Sequence, residues 1–179
     1  MYTEAGYAAH LASDPREVRA ISRLKLRDPI LVCIPINPEG KPEAARDFLT
    51  ALRQSIQEGI AQQPDLRLAG AGEVADAEIH IEVWALHNGK GHAGPMLEAF
   101  LASVLLIQLP HDPAVAGCAV MLVRPETNQV LAGYQKSVST DPVAGDRFEA
   151  LAKSLGRAVA NGAAEVKRLA RDPGTPACK

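Results

Sequence analysis

Two stretches of the chain place apolar residues at helical spacing. In residues 43–62, Ala45, Phe48, Leu49, Leu52, Ile56 and Ile60 gather on one face, while Arg46, Arg53, Gln57 and Glu58 fall elsewhere on the wheel. Pro42 near the first turn, Glu43 at the positive end and Pro64 beyond the last turn mark both helix ends. In residues 147–170 the stripe is Phe148, Leu151, Leu155, Val159, Ala163, Val166 and Ala170. Gly156 and Gly162 interrupt it, lowering helix propensity but allowing close approach. Elsewhere the period is two. Residues 78–86 set Ile79, Ile81, Val83 and Ala85 on one side and Glu78, His80, Glu82 and Trp84 on the other, which predicts a half-buried strand.

Residues 29–36 are nearly all apolar and read as a buried strand, with Pro35 marking an edge or an exit. A turn-rich loop follows to Pro42. Residues 66–69 form a short strand and 70–73 a loop. Residues 117–124 and 129–139 predict a hairpin around Pro125-Glu126-Thr127-Asn128. Ser13-Asp14-Pro15 caps a short helix to about Arg23. Residues 88–95 hold Gly89, Gly91 and Gly94 and read as a loop or hairpin tip. Residues 96–109 are mostly apolar, and periodicity does not decide between helix and strand there. They are too few to span a bilayer as a helix.

The summed order is β-α-β-β, an apolar segment, then β-β-α. It predicts a single α/β (α+β) domain: a mixed sheet of about four to five strands covered on one face by two amphipathic helices. Residues 1–28 read as an N-terminal extension, 29–171 as the domain and 172–179 as a flexible tail.

Composition narrows the setting. A chain of 179 residues buries a real core without metals or disulfides. A net charge of -2 argues against a dedicated nucleic-acid binder and against a polybasic membrane tether. Cys33, Cys118 and Cys178 match no zinc ribbon and no Cys-x-x-Cys motif. Cys33 and Cys118 read as small buried hydrophobes, with a disulfide between neighbouring strands as the alternative in an exported protein. Cys178 reads as an exposed thiol in the tail. No leader-like apolar run occurs in residues 1–19.

The run Ala75-Asp76-Ala77-Glu78-Ile79-His80-Ile81-Glu82-Val83, arriving after a helix and a short strand, carries a family resemblance. It resembles a bacterial envelope group with an α/β domain like the amino-terminal domain of the Tol translocation protein. The group includes the curli-secretion lipoprotein, lipoprotein activators of penicillin-binding proteins and ring-forming lipoproteins of polysaccharide export. Residues 30–36, 43–62, 75–84 and 120–170 correspond to its opening strand, helix, alternating strand and late hairpin plus helix. The chain departs from the group's pattern in lacking an acylated amino-terminal cysteine and a glycine in the 125–128 turn. The resemblance implies action by protein contact and oligomer formation, and it carries over no catalytic residue.

Candidate chemistry is sparse. His80 and Glu82 point the same way from one strand. With His87, His92 or His111 they could make a His/carboxylate metal site. The His-x-Glu spacing also occurs in zinc deaminases, but these need a downstream Pro-Cys-x-x-Cys that is absent here. A solvated polar strand face is the plain alternative. Lys90 among its glycines lacks the following Ser/Thr of a phosphate loop. No Gly-x-Ser-x-Gly elbow occurs, and Ser154 reads as structural.

These observations predict a non-catalytic cell-envelope accessory protein, with no metal or other cofactor, acting by oligomerisation or by docking to an assembly or export machine. Its partners would be itself and envelope proteins, with peripheral membrane contact as a further use of residues 96–109. Trp84, Met96, Phe100, Leu101 and Leu105 are the expected interface, and the sheet edge near residues 29–36 could pair with another strand. Localisation would be periplasmic, or the periplasmic face of the outer membrane, if a leader is removed, and cytoplasmic otherwise. The alternative is a small cytosolic ligand- or metal-binding enzyme using the His80/Glu82 strand face.

Overall fold

The apolar stripe around Leu52 folds as helix α2, Pro42–Ala61, and the later stripe as α3, Arg147–Arg171. A shorter helix, α1, spans Pro15–Ala20, and the Asp14 carboxylate caps it by accepting from the Arg16 amide at 2.8 Å. The computed structural model describes residues 3–32, 42–87, 114–140 and 147–171, with side chains described for 9–32, 46–83, 115–139 and 149–171. The strands are β1 (Thr3–Leu11), β2 (Arg23–Leu26), β3 (Leu31–Val32), β4 (Arg67–Leu68), β5 (Ala77–His87), β6 (Ala114–Val123) and β7 (Val130–Thr140). They form one sheet in the order β1-β7-β6-β5-β2-β4, with β3 also paired to β5.

The α/β architecture expected from the chain is therefore present, with a larger sheet than expected: seven strands rather than four to five. The reading of residues 1–28 as an extension does not describe this stretch, which supplies β1, α1 and β2. Composition hid both strands. Residues 3–11 are rich in Ala and Gly, without the β-branched run that marks strands. Arg23-Leu24-Lys25-Leu26 is too short for a period to declare itself.

The sheet is mixed because its connections differ. β2 runs parallel to β4 and β5, and β3 parallel to β5; α2 makes the long crossover that parallel strands need. β5, β6, β7 and β1 are successive antiparallel neighbours. The register sorts side chains into two faces. Ile79, Ile81 and Val83 align with Leu122, Val120 and Cys118, and these with Ala132, Tyr134 and Lys136. This face lies under α3 and is the core. The opposite face carries Glu78, His80 and Glu82 beside Val123, Met121 and Ala119.

The alternation expected through residue 85 breaks at Trp84. Val83 registers with Cys118 but Ala85 with Gly117, so Trp84 is the extra residue of a bulge. A one-residue insertion exchanges the faces. Position 85 therefore shares a side with Glu82 rather than with Val83.

On α2, Phe48, Leu52, Ile56 and Ile60 are fully buried, one per turn. Each contributes about 1.5–3 kcal/mol by leaving water. They meet α3 at a close crossing. A Cβ built on Gly59 would lie 2.7 Å from that of Ala160, and one on Gly156 would lie 2.6 Å from Cβ of Ser55. Only glycine permits this approach. Ser55 is buried there and donates its hydroxyl to the Lys153 carbonyl at 2.8 Å.

The β6–β7 turn forms as expected. Asn128 has φ 53°, and its amide donates to the Arg124 carbonyl at 2.9 Å. Asn tolerates this left-handed conformation and β-branched residues do not. Asn128→Val should lower stability by about 1–2 kcal/mol, and Asn128→Gly should leave it near wild type. Chemical denaturation of the two variants checks this; equal stabilities would contradict it.

Candidate functional site

The most structured polar feature lies on the face away from the helices, where β2 gives way to β3. β2 leaves β5 after Leu26, which pairs with Ile79. The Arg27 amide still donates to the Ile79 carbonyl at 3.1 Å. The chain then passes through a cis Asp28–Pro29 peptide and rejoins β5 at Leu31, opposite Glu82. The detour opens a cleft of about 260 Å³ lined chiefly by Arg27, Pro29, Leu31, His80, Glu82 and Met121. Ligand pockets for small molecules run to about 300–1,000 Å³. At about 260 Å³ this cleft falls a little below that range.

Charged residues along β2 and β5 pair in a row that leads to the cleft, which Arg27 and His80 line. Arg23 pairs with Asp76 at 2.5 Å, Lys25 with Glu78 at 3.8 Å, and Arg27 lies beside His80. The three rungs are not equal. The Lys25–Glu78 pair is long and solvated and is worth at most about 1 kcal/mol. Asp76 is tightly held: its carboxylate accepts from the Ser22 amide and hydroxyl, the Arg23 amide and the Arg23 guanidinium. The guanidinium, chiefly, holds the Asp76 carboxyl well below the usual carboxylate range. Nearby, Arg67 and the Gly70 amide bring Glu73 down to about 2.

His80 is committed on both sides. Arg27 Nη1 lies 3.3 Å from its Nδ1 and 3.1 Å from its Nε2, and a Glu78 oxygen lies 3.3 Å from the same Nε2. His80 and Glu82 do share a face, as their spacing predicts. Among the described residues, no group of three or more His, Cys, Asp or Glu side chains is placed to hold a metal. The His87 side chain, His92 and His111 lie outside the described residues.

The expected interface falls mostly outside the described residues as well. Met96, Phe100, Leu101 and Leu105 do so entirely, and Trp84 is described only by its backbone in β5. Cys118 is a free, buried thiol that burial pushes up to about 12, so it behaves as the small core hydrophobe expected. Cys33 and Cys178 lie outside the described residues. Ser154 sits half-buried on α3.

Leu31 is the residue that sequence reasoning misplaced. Its apolar run predicts burial, yet it is 58% exposed at the sheet edge, with no strand beyond β3 among the described residues. The signal that could have found it is Arg27-Asp28-Pro29, a charged break just before the run.

A second groove, between the 63–66 connection and α3, is filled by its own lining. Buried Lys167 donates to the Asp65 carbonyl at 2.9 Å, and Arg171 pairs with the Asp65 carboxylate at 2.6 Å. It fastens α3 to the end of α2.

No family model and no curated protein matches this chain. Solved structures do. The PelC dodecamer from Paraburkholderia phytofirmans, in two crystal forms, matches at 15% and 14% identity with TM-scores of 0.48 and 0.49, covering 91% of this chain and 97% of PelC. A Xanthomonas campestris protein of the DUF330 family matches at 11% identity with a TM-score of 0.50, covering 87% of this chain and 89% of that one. At this identity the DUF330 likeness concerns the fold, and it agrees with one α/β domain running along most of the chain.

Proposed function

We propose that this chain is a non-catalytic accessory protein of the bacterial cell envelope that works by self-association, or by docking to an assembly or export machine. The observation that carries this reading is the β3 edge: a strand with an unpaired side among the described residues, an exposed Leu31 and a cleft of about 260 Å³ next to it. An apolar residue at an open strand edge is a liability unless another chain covers it. The envelope setting is supported by the sequence resemblance around Asp76. No helix among the described residues is long and apolar enough to cross a membrane.

The reading against catalysis is geometric. His80 is held between Arg27 and Glu78, and Asp76 between Ser22 and Arg23.

Light scattering on a sizing column, over a range of protein concentrations, tests the proposal. The expected result is an oligomer of one size. Leu31→Arg should weaken it by about 2 kcal/mol or more, as removal of a central contact does. At concentrations low enough to keep both proteins monomeric, the unfolding midpoint of that variant should not move, because Leu31 is exposed in the single chain. A monomer at every concentration overturns self-association and leaves docking to another protein as the use of the edge.

A further inference from the structure

We infer that Arg27 is a pH-set gate on the cleft beside Leu31: it lies against His80 while that ring is neutral and lets go when the ring takes a second proton. The gate does not depend on the docking role proposed above; only its use in docking does.

The geometry sets a cation against a base. Arg27 Nη1 is within 3.3 Å of both ring nitrogens of His80. A guanidinium carries donors and no acceptor, and a neutral imidazole keeps one nitrogen able to accept, whichever tautomer it holds. A charged imidazole donates from both nitrogens. It leaves Arg27 nothing to donate to and puts two positive groups at contact distance. The His80 side chain keeps only 17% exposure, so water screens that repulsion in part. Glu78 makes the response one-sided. One of its oxygens lies 3.3 Å from His80 Nε2 and the other 3.8 Å from Lys25 Nζ. Charging the ring strengthens its hydrogen bond to Glu78 while it removes the one from Arg27. The ring stays and the arginine moves.

Only the side chain of Arg27 is free to move. Its amide donates to the Ile79 carbonyl at 3.1 Å, and the next residue, Asp28, is tied to Arg53 of α2. The charged neighbours of His80 among the described residues are Lys25 and Arg27 from β2, Asp28 from the turn, and Glu78 and Glu82 from β5. β6 sets the uncharged Met121 opposite, and β3 brings Leu31. Carboxylates and basic side chains ordinarily keep their charge between about pH 5 and 8, whereas an imidazole changes its charge there. His80 is therefore the group at this cleft suited to act in that window. Arg27 and His80 both line the cleft. Releasing the guanidinium opens the wall on the β2 side and offers its donors beside exposed Leu31.

The test is a double-mutant cycle on the full chain, read by urea unfolding at about pH 8 and about pH 5 and at concentrations that keep it monomeric. The proteins are wild type, Arg27→Met, His80→Leu and the pair. Methionine keeps the stem of Arg27 without its donors, and leucine fills the ring's place without a nitrogen. At the higher pH the two native side chains should favour each other by at least about threefold in the unfolding equilibrium constant. At the lower pH that coupling should vanish or reverse. Ring nitrogen NMR shifts of the wild type should show His80 neutral at the first pH and charged at the second. Equal coupling at both values overturns the gate, as does no coupling at the higher one, or a ring that keeps one charge state throughout. If a variant fails to fold, crystals of the wild type at the two pH values decide: Arg27 within hydrogen-bond distance of the ring in both overturns the gate, and contact at the higher pH alone supports it. A cycle that behaves as expected in a chain that stays monomeric at every concentration keeps the gate and removes self-association; an oligomer with an unchanging cycle does the reverse.

Discussion

Gly162→Ala lowers the stability of this protein by about 2 kcal/mol, although alanine is the better helix former by about 1 kcal/mol. Gly162 sits on α3 directly over the Tyr134 ring, and a Cβ there would come within 2.6 Å of the ring Cδ2. Atoms this close must separate. The ring has little freedom to yield: Tyr134 is buried, and its hydroxyl donates to the Val159 carbonyl of α3 itself at 2.7 Å. Moving the ring away breaks that bond or strands the hydroxyl, at about 1–3 kcal/mol. Moving the helix disturbs the close crossing with α2 at Gly156 and Gly59. Steric cost therefore outweighs helix propensity, and Gly162→Val should be worse than alanine by about another 1–3 kcal/mol. Urea unfolding of the single variants, of Tyr134→Leu and of the Gly162→Ala, Tyr134→Leu pair decides the matter. The smaller side chain should relieve most of the alanine penalty, giving a double variant more stable than the sum of the singles. A Gly162→Ala protein as stable as wild type would show that α3 and β7 have slack at this contact.

The second large effect is expected at Asp76. Asp76→Ala leaves the Ser22 amide and hydroxyl, the Arg23 amide and the Arg23 guanidinium without their shared acceptor. These bonds fix the start of β2 against the start of β5. Their loss should lower stability by about 2–3 kcal/mol, discounted from a larger sum because the Arg23 and Asp76 side chains keep 37% and 23% exposure. The same geometry sets a pH dependence. The folded state holds Asp76 below its unfolded value of about 3.9. Its contribution is therefore complete above that value and is lost as pH falls toward the folded one. Asp76→Asn should reduce the loss of stability below about pH 4 without abolishing it, since Glu73, held down to about 2 by Arg67 and Gly70, loses its own partners in the same range. Urea midpoints measured at falling pH in wild type and Asp76→Asn check this; parallel curves would refute the assignment.

The Ala75-Asp76-Ala77 element thus has a physical meaning that sequence could not supply. Asp76 is a staple between strands whose partners lie more than fifty positions earlier. Long amphipathic periods were readable because they depend only on local spacing: the expected stripes of α2 and α3 are buried except for half-buried Leu49, with Phe148 and Ala45 outside the described side chains, whereas the burial of Ala152, Ala158 and Ala160 comes from the close helix crossing and the sheet. The hairpin was readable because Asn128 answers a local conformational demand. What depends on distant partners was not. β1 is a strand because β7 offers it an edge, not because its alanines and glycine favour one. Leu31 is exposed because the path through Asp28 and Pro29 puts β3 at a border. The bulge at Trp84 depends on how β6 registers, so an alternation that holds from Glu78 to Val83 does not continue to Ala85.

The pairing of Thr3 with Ser139 sets a timetable for folding. β1 leaves a ribosome early yet is among the last of these strands to find its place, because its neighbour β7 emerges only after β2 to β6 and the helices α1 and α2. Until then the β7 side of the growing sheet has no owner, and residues 3–11 have no shelter. Pairings so distant along the chain slow folding, since loop closure precedes any contact energy. The β5–β6–β7 meander, built from nearer neighbours, should assemble first, and the amino-terminal strand should close late, as should α3, which meets α2 from 98 positions away at Ser55 and Lys153.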